Sequence, residues 1–123
     1  MAEVLAYIAA GLVGLWGVSH AIPTRAVVAG FGEISADNRR VLVQEWLAEA
    51  VTMWSFAALI ITVTAVGGGP TAADWTYRVT AGALLVLAVL TALMGARTRV
   101  VWFKICPALL TTSSVLLLVS SRA

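Results

Sequence analysis

The chain has 123 residues, of which 61% are hydrophobic and only 11% are charged, and its formal net charge is +2. Soluble domains usually carry about 25% charged residues, so this composition argues against an ordinary soluble globular protein. The single cysteine excludes both an internal disulfide and a Cys-x-x-Cys redox motif.

Four charge-free segments account for about two thirds of the chain, and they contain 21, 24, 18 and 17 residues. A helix that crosses a bilayer needs about 20 residues, within a range of about 17 to 25. The pattern predicts an all-α integral membrane four-helix bundle that forms one domain, made of two helical hairpins in a multi-pass protein of the cell membrane. The predicted helices lie at about 3–22, 38–66, 74–96 and 100–120, with a cytoplasmic loop at 23–37.

The basic residues predict how the chain is oriented, because short cytoplasmic loops retain lysine and arginine. The connections after the first and third spans carry six of them: Arg25, Arg39, Arg40, Arg97, Arg99 and Lys104. The opposite side has only Arg78 and Arg122. Both termini are therefore expected outside, and Trp16, Trp46 and Trp102 are expected near the cytoplasmic boundary as interfacial aromatic residues.

Two connections differ in character. The loop 23–37 is long and mixed in charge, and Ser35 or Asp37 is expected to cap the helix that follows it. Gly67-Gly68-Gly69-Pro70-Thr71 predicts a helix stop and a tight outer connection, since glycine and proline do not propagate helix. The first of these connections is the better candidate for a functional element.

Small and hydroxyl residues predict how the spans pack. Gly11, Gly14 and Gly17 recur at three-residue spacing in the first predicted helix, which favours close approach of another helix. The run 111–114 in the fourth helix consists of threonine and serine, whose hydroxyls can bond back to their own helix or across to a neighbour. Both features are expected to be structural.

The second predicted helix carries a polar stripe. At 100° per residue, Asn38, Glu45, Glu49 and Thr52 fall on one face. Glu49 lies nine residues beyond Arg40, which is about 13 Å along a helix and well inside the apolar layer. Ionisable residues at that depth are costly and are candidates for function.

His20 and Lys104 are expected at a similar depth on two other helices, so three helices contribute polar groups. This constellation predicts Glu45, Glu49 and His20 as acid–base residues. The predicted ligand-binding residues are Asn38, Arg39, Arg40, Trp46, Thr52 and Lys104.

Two other interpretations use the same residues. The two glutamates can instead neutralise Arg39, Arg40, Arg99 or Lys104 in a structural ion-pair network. A metal site of His20 with Glu45 and Glu49 has suitable ligand types, but it lacks a diagnostic spacing such as His-Glu-x-x-His. No metal and no cofactor is therefore predicted.

The fourth helix contains Cys106 and Pro107. Proline lacks a backbone N–H, so Pro107 should kink the helix and free the carbonyl of Phe103 near the polar constellation. Cys106 is expected to be a small buried apolar residue.

Four spans, small size and a polar end of the first helix at Ser19-His20 make the chain resemble the DoxX-like small four-helix bacterial membrane proteins. His20 together with intramembrane Glu45 and Glu49 also resembles the sterol-isomerase type of four-helix membrane protein. Neither resemblance implies one particular reaction.

Three functions follow from these patterns. The protein binds a lipophilic small molecule or lipid and, if it is an enzyme, isomerises it, cyclises it or opens an epoxide with carboxylate acid–base catalysis. Alternatively, it is an accessory subunit of a larger membrane complex and uses the glycine face of its first helix as the contact. The expected assembly is such a complex or a homo-oligomer. A third alternative is a proton-coupled transporter with Glu49 as the carrier. Nucleic acid is not an expected partner, because the basic residues sit beside the ends of the spans.

Overall fold

The computed structural model describes residues 1–67 and 69–122, which form five α-helices and no β-strand. The helices are α1 (Ala2–Ala21), α2 (Thr24–Ala29), α3 (Ala36–Thr62), α4 (Pro70–Leu93) and α5 (Trp102–Ser120). A π-helical turn, Val63–Gly67, extends α3, and a 3-10 turn, Gly95–Arg97, follows α4. All but α2 are long and apolar enough to cross a membrane. The predicted all-α bundle with four spans is confirmed, whereas its orientation stays a prediction.

The connections contain more helix than the sequence suggested. The predicted loop 23–37 includes the short helix α2, which Pro23 precedes and which buries Val28. Helix α4 begins at Pro70 rather than near residue 74, because proline is well suited to the first helical position. Gly69 precedes it with φ +85°, a conformation that glycine adopts without strain. Gly68, within the predicted outer connection, lies outside the described residues.

Helix α3 begins as predicted. The Ser35 side chain accepts a hydrogen bond from the backbone N–H of Asn38 at 3.1 Å, and Asp37 lies in the first turn, where its charge complements the helix dipole. The helix has 27 residues, or about 40 Å, against a hydrocarbon core of about 30 Å. The helix is therefore longer than the apolar layer is thick.

Helix α1 lies at the centre of the bundle and packs against both α3 and α5, while α5 also packs against α4. Its glycines face α3: a Cβ at Gly17 would lie 2.7 Å from Trp54 Nε1, and one at Gly14 would lie 3.5 Å from Ala57 Cβ. The glycine face predicted for packing is thus used largely within this chain. Gly11 is exposed, and no atom of the other helices in residues 1–67 and 69–122 lies within 4 Å of such a Cβ.

Three hydroxyl groups of the run 111–114 in α5 form hydrogen bonds of the expected kinds. Thr112 and Ser113 donate to carbonyls one turn earlier in their own helix. Ser114 donates across the interface to the carbonyl of Ala81 in α4 at 2.8 Å. Such bonds hold membrane helices together without a hydrophobic driving force between them.

Helices α3 and α4 have few contacts along their length. The π-helical turn contacts α4 more extensively, and there the Thr64 and Tyr77 hydroxyls are 2.7 Å apart. The bundle is therefore joined between these two helices at one end, and a space remains between them toward the other end.

Candidate functional site

A cavity of about 270 Å³ lies near the end of the bundle where α1 and α4 end and α5 begins. Residues from all four spans line it, so it is a feature of the complete bundle rather than of one hairpin. Its walls combine apolar side chains with four polar ones: Trp16, His20, Glu49 and Thr91. An apolar cavity with a few convergent polar groups is typical of a small-molecule site.

His20 and Glu49 form the ionisable part of this cavity. His20 belongs to the last turn of α1, and its Nε2 lies 3.4 Å from Glu49 Oε2 on α3. The histidine side chain is 5% exposed, and that of the glutamate is 39% exposed. The two groups are close enough to interact by charge, but His20 Nε2 has no hydrogen-bond partner in the described part of the chain.

Trp46 fixes the position of His20. Its indole Nε1 donates a hydrogen bond to the His20 carbonyl at 2.7 Å. Its ring stacks on the imidazole with centroids 4.0 Å apart and planes 15° apart, and the edge of Phe103 packs against it from α5. Trp46, predicted to bind ligand, therefore contacts His20 and acts as a positioning residue.

Two buried nitrogen atoms at the cavity have no partner among residues 1–67 and 69–122: Trp16 Nε1 and His20 Nε2. They stand four residues apart in α1, so they lie on the same face of the helix one turn apart. Leaving a buried polar group without a hydrogen bond costs about 1–3 kcal/mol. Such groups in a folded protein are usually explained by a bound water, ion or ligand.

Gly95 and Pro107, two residue types that are uncommon inside helices, shape the remaining wall of the cavity. A Cβ at Gly95 would lie 3.2 Å from Phe103 Cγ, so glycine allows this ring to approach. Pro107 lies inside α5 and cannot donate to the carbonyl of Phe103, which leaves an acceptor beside the cavity. Cys106 lines the same wall and is buried, as expected.

The other predicted acid–base residue, Glu45, does not line this cavity. It is exposed, and its Oε1 accepts a hydrogen bond from Gln44 Nε2 at 3.5 Å. Thr52 is also exposed and donates to the carbonyl of Ala48, while Lys104 is exposed at the start of α5. Of the predicted polar stripe on α3, only Glu49 reaches the cavity.

The remaining predicted ligand-binding residues are at the start of α3. Arg40 Nη1 lies 3.1 Å from Asp37 Oδ1, whereas Arg39 lines a second cavity together with Arg25. Asn38 takes part in the helix cap described above. In the described ranges, the ion pairs are Arg40 with Asp37 and His20 with Glu49. Neither glutamate pairs there with the basic residues considered in the ion-pair alternative.

The cavity does not bring together a metal-binding set. Within residues 1–67 and 69–122, no group of three histidine, cysteine, aspartate or glutamate side chains could hold a metal ion. His20 and Glu49 lie together, but exposed Glu45 does not join them. The polar atoms instead suit hydrogen bonding and proton transfer.

Sequence reasoning missed several wall residues, among them Trp16 and Thr91. Trp16 was considered only as an aromatic residue near the membrane boundary, and the structure shows that it is 7% exposed and packs inside the bundle. Its position four residues before His20 was the available signal, because that spacing places both on one helix face. Thr91, a hydroxyl residue in a mostly apolar helix, carried a weaker signal.

Comparisons of this chain with protein-family models, curated proteins and solved structures give no match. The functional conclusion is therefore drawn from the cavity itself. Its central features are the unpartnered nitrogens of Trp16 and His20 and the neighbouring carboxylate of Glu49.

Proposed function

We propose that this protein binds, within the membrane, a lipophilic molecule that carries a hydrogen-bond acceptor such as a carbonyl group. The acceptor docks at the N–H groups of Trp16 Nε1 and His20 Nε2. The observation that carries this proposal is that both nitrogens are buried at one mostly apolar cavity and make no hydrogen bond within residues 1–67 and 69–122. A ligand carbonyl suits such a site, because its oxygen has two lone pairs and can accept from two donors.

The size of the cavity supports a ligand with at least one ring. Its volume is about 270 Å³, whereas an apolar protein cavity of about 150 Å³ already binds benzene. A longer apolar tail can extend between α3 and α4, which have few contacts along their length. The polar end of the ligand would then lie in the bundle and its tail would face lipid.

Glu49 supports the donor group of His20. Its carboxylate lies beside Nε2 and favours the forms of His20 that carry a proton on this nitrogen, which are the forms that donate from it. Glu45 provides a matched control, because it is the same residue one turn earlier on α3 but is exposed and outside the cavity.

The binding test uses the indole N–H groups as reporters. The protein is placed in lipid nanodiscs with ¹⁵N-labelled tryptophan, and 4-methylacetophenone is titrated as the probe. The signal that disappears in Trp16→Phe belongs to Trp16. We expect this signal to move downfield and saturate, because its N–H gains an acceptor. The signal of exposed Trp75, near the opposite end, should stay unchanged.

The two glutamate variants decide whether the cavity is responsible. Glu49→Gln should weaken binding of the probe about tenfold or more, as expected when a charge-assisted hydrogen bond is lost. Glu45→Gln should bind like the wild type. A Trp16 signal that never saturates, or equal effects of the two variants in folded protein, would contradict the proposal.

The His20–Glu49 pair favours a second candidate function, acid–base catalysis on the bound molecule. A carboxylate beside a carbonyl-binding site can remove a proton from the adjacent carbon, and the electron pair moves to the carbonyl oxygen. Trp16 and His20 would stabilise the resulting enolate as hydrogen-bond donors. In a β,γ-unsaturated carbonyl compound, proton return at the γ-carbon completes an isomerisation, whereas cyclisation and epoxide opening would use the pair mainly as a proton donor.

Isotope exchange tests this chemistry separately from binding. In D₂O, the protein should speed deuterium incorporation into the acetyl methyl group of 4-methylacetophenone, measured by mass spectrometry. Glu49→Gln should abolish the acceleration, and Glu45→Gln should retain it. Saturable binding without faster exchange would leave a binding protein and reject the enzyme.

Among the described residues, no comparable site supports the other predicted functions. The accessory-subunit interpretation relied on the glycine face of α1, but Gly14 and Gly17 pack against α3 of the same chain. The transporter interpretation relied on Glu49 as the proton carrier. In the described part of the chain, this glutamate forms an ion pair with His20. Membership of the DoxX-like proteins stays a prediction based on span number, size and Ser19-His20.

A further inference from the structure

A second cavity, of about 600 Å³, lies beside the end of α1, between α2 and α3. Arg25 of α2 and Arg39 of α3 line it, so two positive charges from different helices converge on one space. Most of the remaining wall is apolar and includes Ile22, Val43 and Leu47. Exposed cations and an apolar wall suit a ligand with both an anionic and a hydrocarbon part.

Neither arginine has an acidic partner among the described residues. The ion pairs there are His20 with Glu49 and Arg40 with Asp37. Arg40, next in sequence to Arg39, is therefore neutralised, whereas the two arginines at the cavity are not. A guanidinium group presents paired N–H donors whose geometry matches two oxygens of a phosphate.

The position of the cavity indicates which kind of phosphate compound would suit the two arginines. It adjoins the end of a membrane span, and two of its apolar residues, Ile22 and Leu47, are 78% and 40% exposed. A free phosphate would leave this apolar wall uncovered, whereas an acyl chain would cover it. We propose that Arg25 and Arg39 bind the phosphate of an anionic phospholipid whose acyl chain lies along this wall. This site is separate from the cavity that contains His20 and requires no ligand there.

Competition between lipids tests the proposal. The full chain is exchanged into nanodiscs that contain phosphatidylglycerol and phosphatidylcholine in equal amounts, and retained lipid is measured by native mass spectrometry. We expect one retained phosphatidylglycerol per chain, which millimolar inorganic phosphate does not displace. Displacement by phosphate would identify a free-anion site instead, and equal retention of both lipids would overturn the recognition of anionic lipid.

Neighbouring arginines provide the matched variants. Arg25→Gln and Arg39→Gln should each reduce retention about tenfold, because each removes one charge-assisted contact. Arg40→Gln makes the same charge change one residue away, and it should retain phosphatidylglycerol like the wild type. Equal losses in all three variants would indicate attraction by overall charge and would overturn the site.

A lysine variant distinguishes loss of the phosphate contact from loss of folding. Arg25→Lys keeps the positive charge but cannot form the bidentate contact. It should retain less phosphatidylglycerol than the wild type and more than Arg25→Gln. Retention equal to that of the wild type would show that the guanidinium does not bind the phosphate.

Discussion

Both ends of the bundle contain polar side chains. At one end these side chains form hydrogen bonds with one another, whereas at the other end two buried nitrogens of the described residues form none. At the closed end, which comprises Thr64, Tyr77, Arg78 and Ser121, the polar groups bond to one another across helices. The Thr64 and Tyr77 hydroxyls are 2.7 Å apart, and Arg78 Nη2 donates to the Ser121 carbonyl at 3.2 Å. These bonds join the helices that contribute them.

The open end comprises Trp16, His20, Glu49 and the cavity that they line. Here two buried nitrogens make no hydrogen bond with the described residues, and a cavity lies beside them between the helices. In an apolar chain, a polar residue therefore does not by itself indicate a functional site. The distinguishing feature is a buried polar group that its own chain does not satisfy.

The largest effect is expected when a larger side chain fills the cavity at the open end. Cys106→Leu adds apolar atoms at the cavity wall, so we expect no detectable binding of 4-methylacetophenone and an unchanged or higher Tm. Cys106→Ala leaves the space open and should preserve binding. Calorimetry and titration of the Trp16 indole signal measure both effects. Equal binding by the two variants would contradict the assignment of the cavity.

A second variant tests the α1–α3 interface beside the open end. Gly17→Ala should destabilise the bundle by about 1–3 kcal/mol, because its Cβ would crowd Trp54 and Met53. Gly11→Ala has no such neighbour and should stabilise the helix by up to about 1 kcal/mol. Unfolding in mixed detergents, followed by circular dichroism, measures the difference. Similar stabilities for the two variants would argue against the α1–α3 packing.

The smallest effect is expected at the closed end. Tyr77→Phe removes the hydroxyl that contacts Thr64 and should cost about 0.5–1.5 kcal/mol of stability, without changing probe affinity. The same unfolding and titration measurements apply. Reduced affinity at unchanged stability would show that the two ends are not independent.

Much of the fold could be predicted because charge is excluded from the apolar layer. The charge-free segments predicted four spans, and the residue types around Ser35 predicted how α3 begins. Helix α2 was missed because six residues are too few to show helical periodicity. The early start of α4 was missed because Pro70 follows three glycines, and that run resembles a turn although proline also suits a first helical turn.

The candidate site could be predicted only in part. His20 and Glu49 were detectable because ionisable groups are rare in spans. Glu45 and Glu49 differ by only about 40° around a helix, so periodicity cannot tell which of them reaches a cavity. Their difference depends on how α3 sits against the other helices. Trp16 and Cys106 were not predicted as wall residues because the space beside them arises from the packing of four helices.

Native mass spectrometry of protein extracted gently from its own membrane tests the central claim most directly. The wild-type chain and Glu45→Gln should each retain one lipophilic molecule with a carbonyl or similar acceptor, and Glu49→Gln should have lost it. A folded wild-type chain without any small molecule, or equal retention by all three proteins, would contradict ligand binding at the open end.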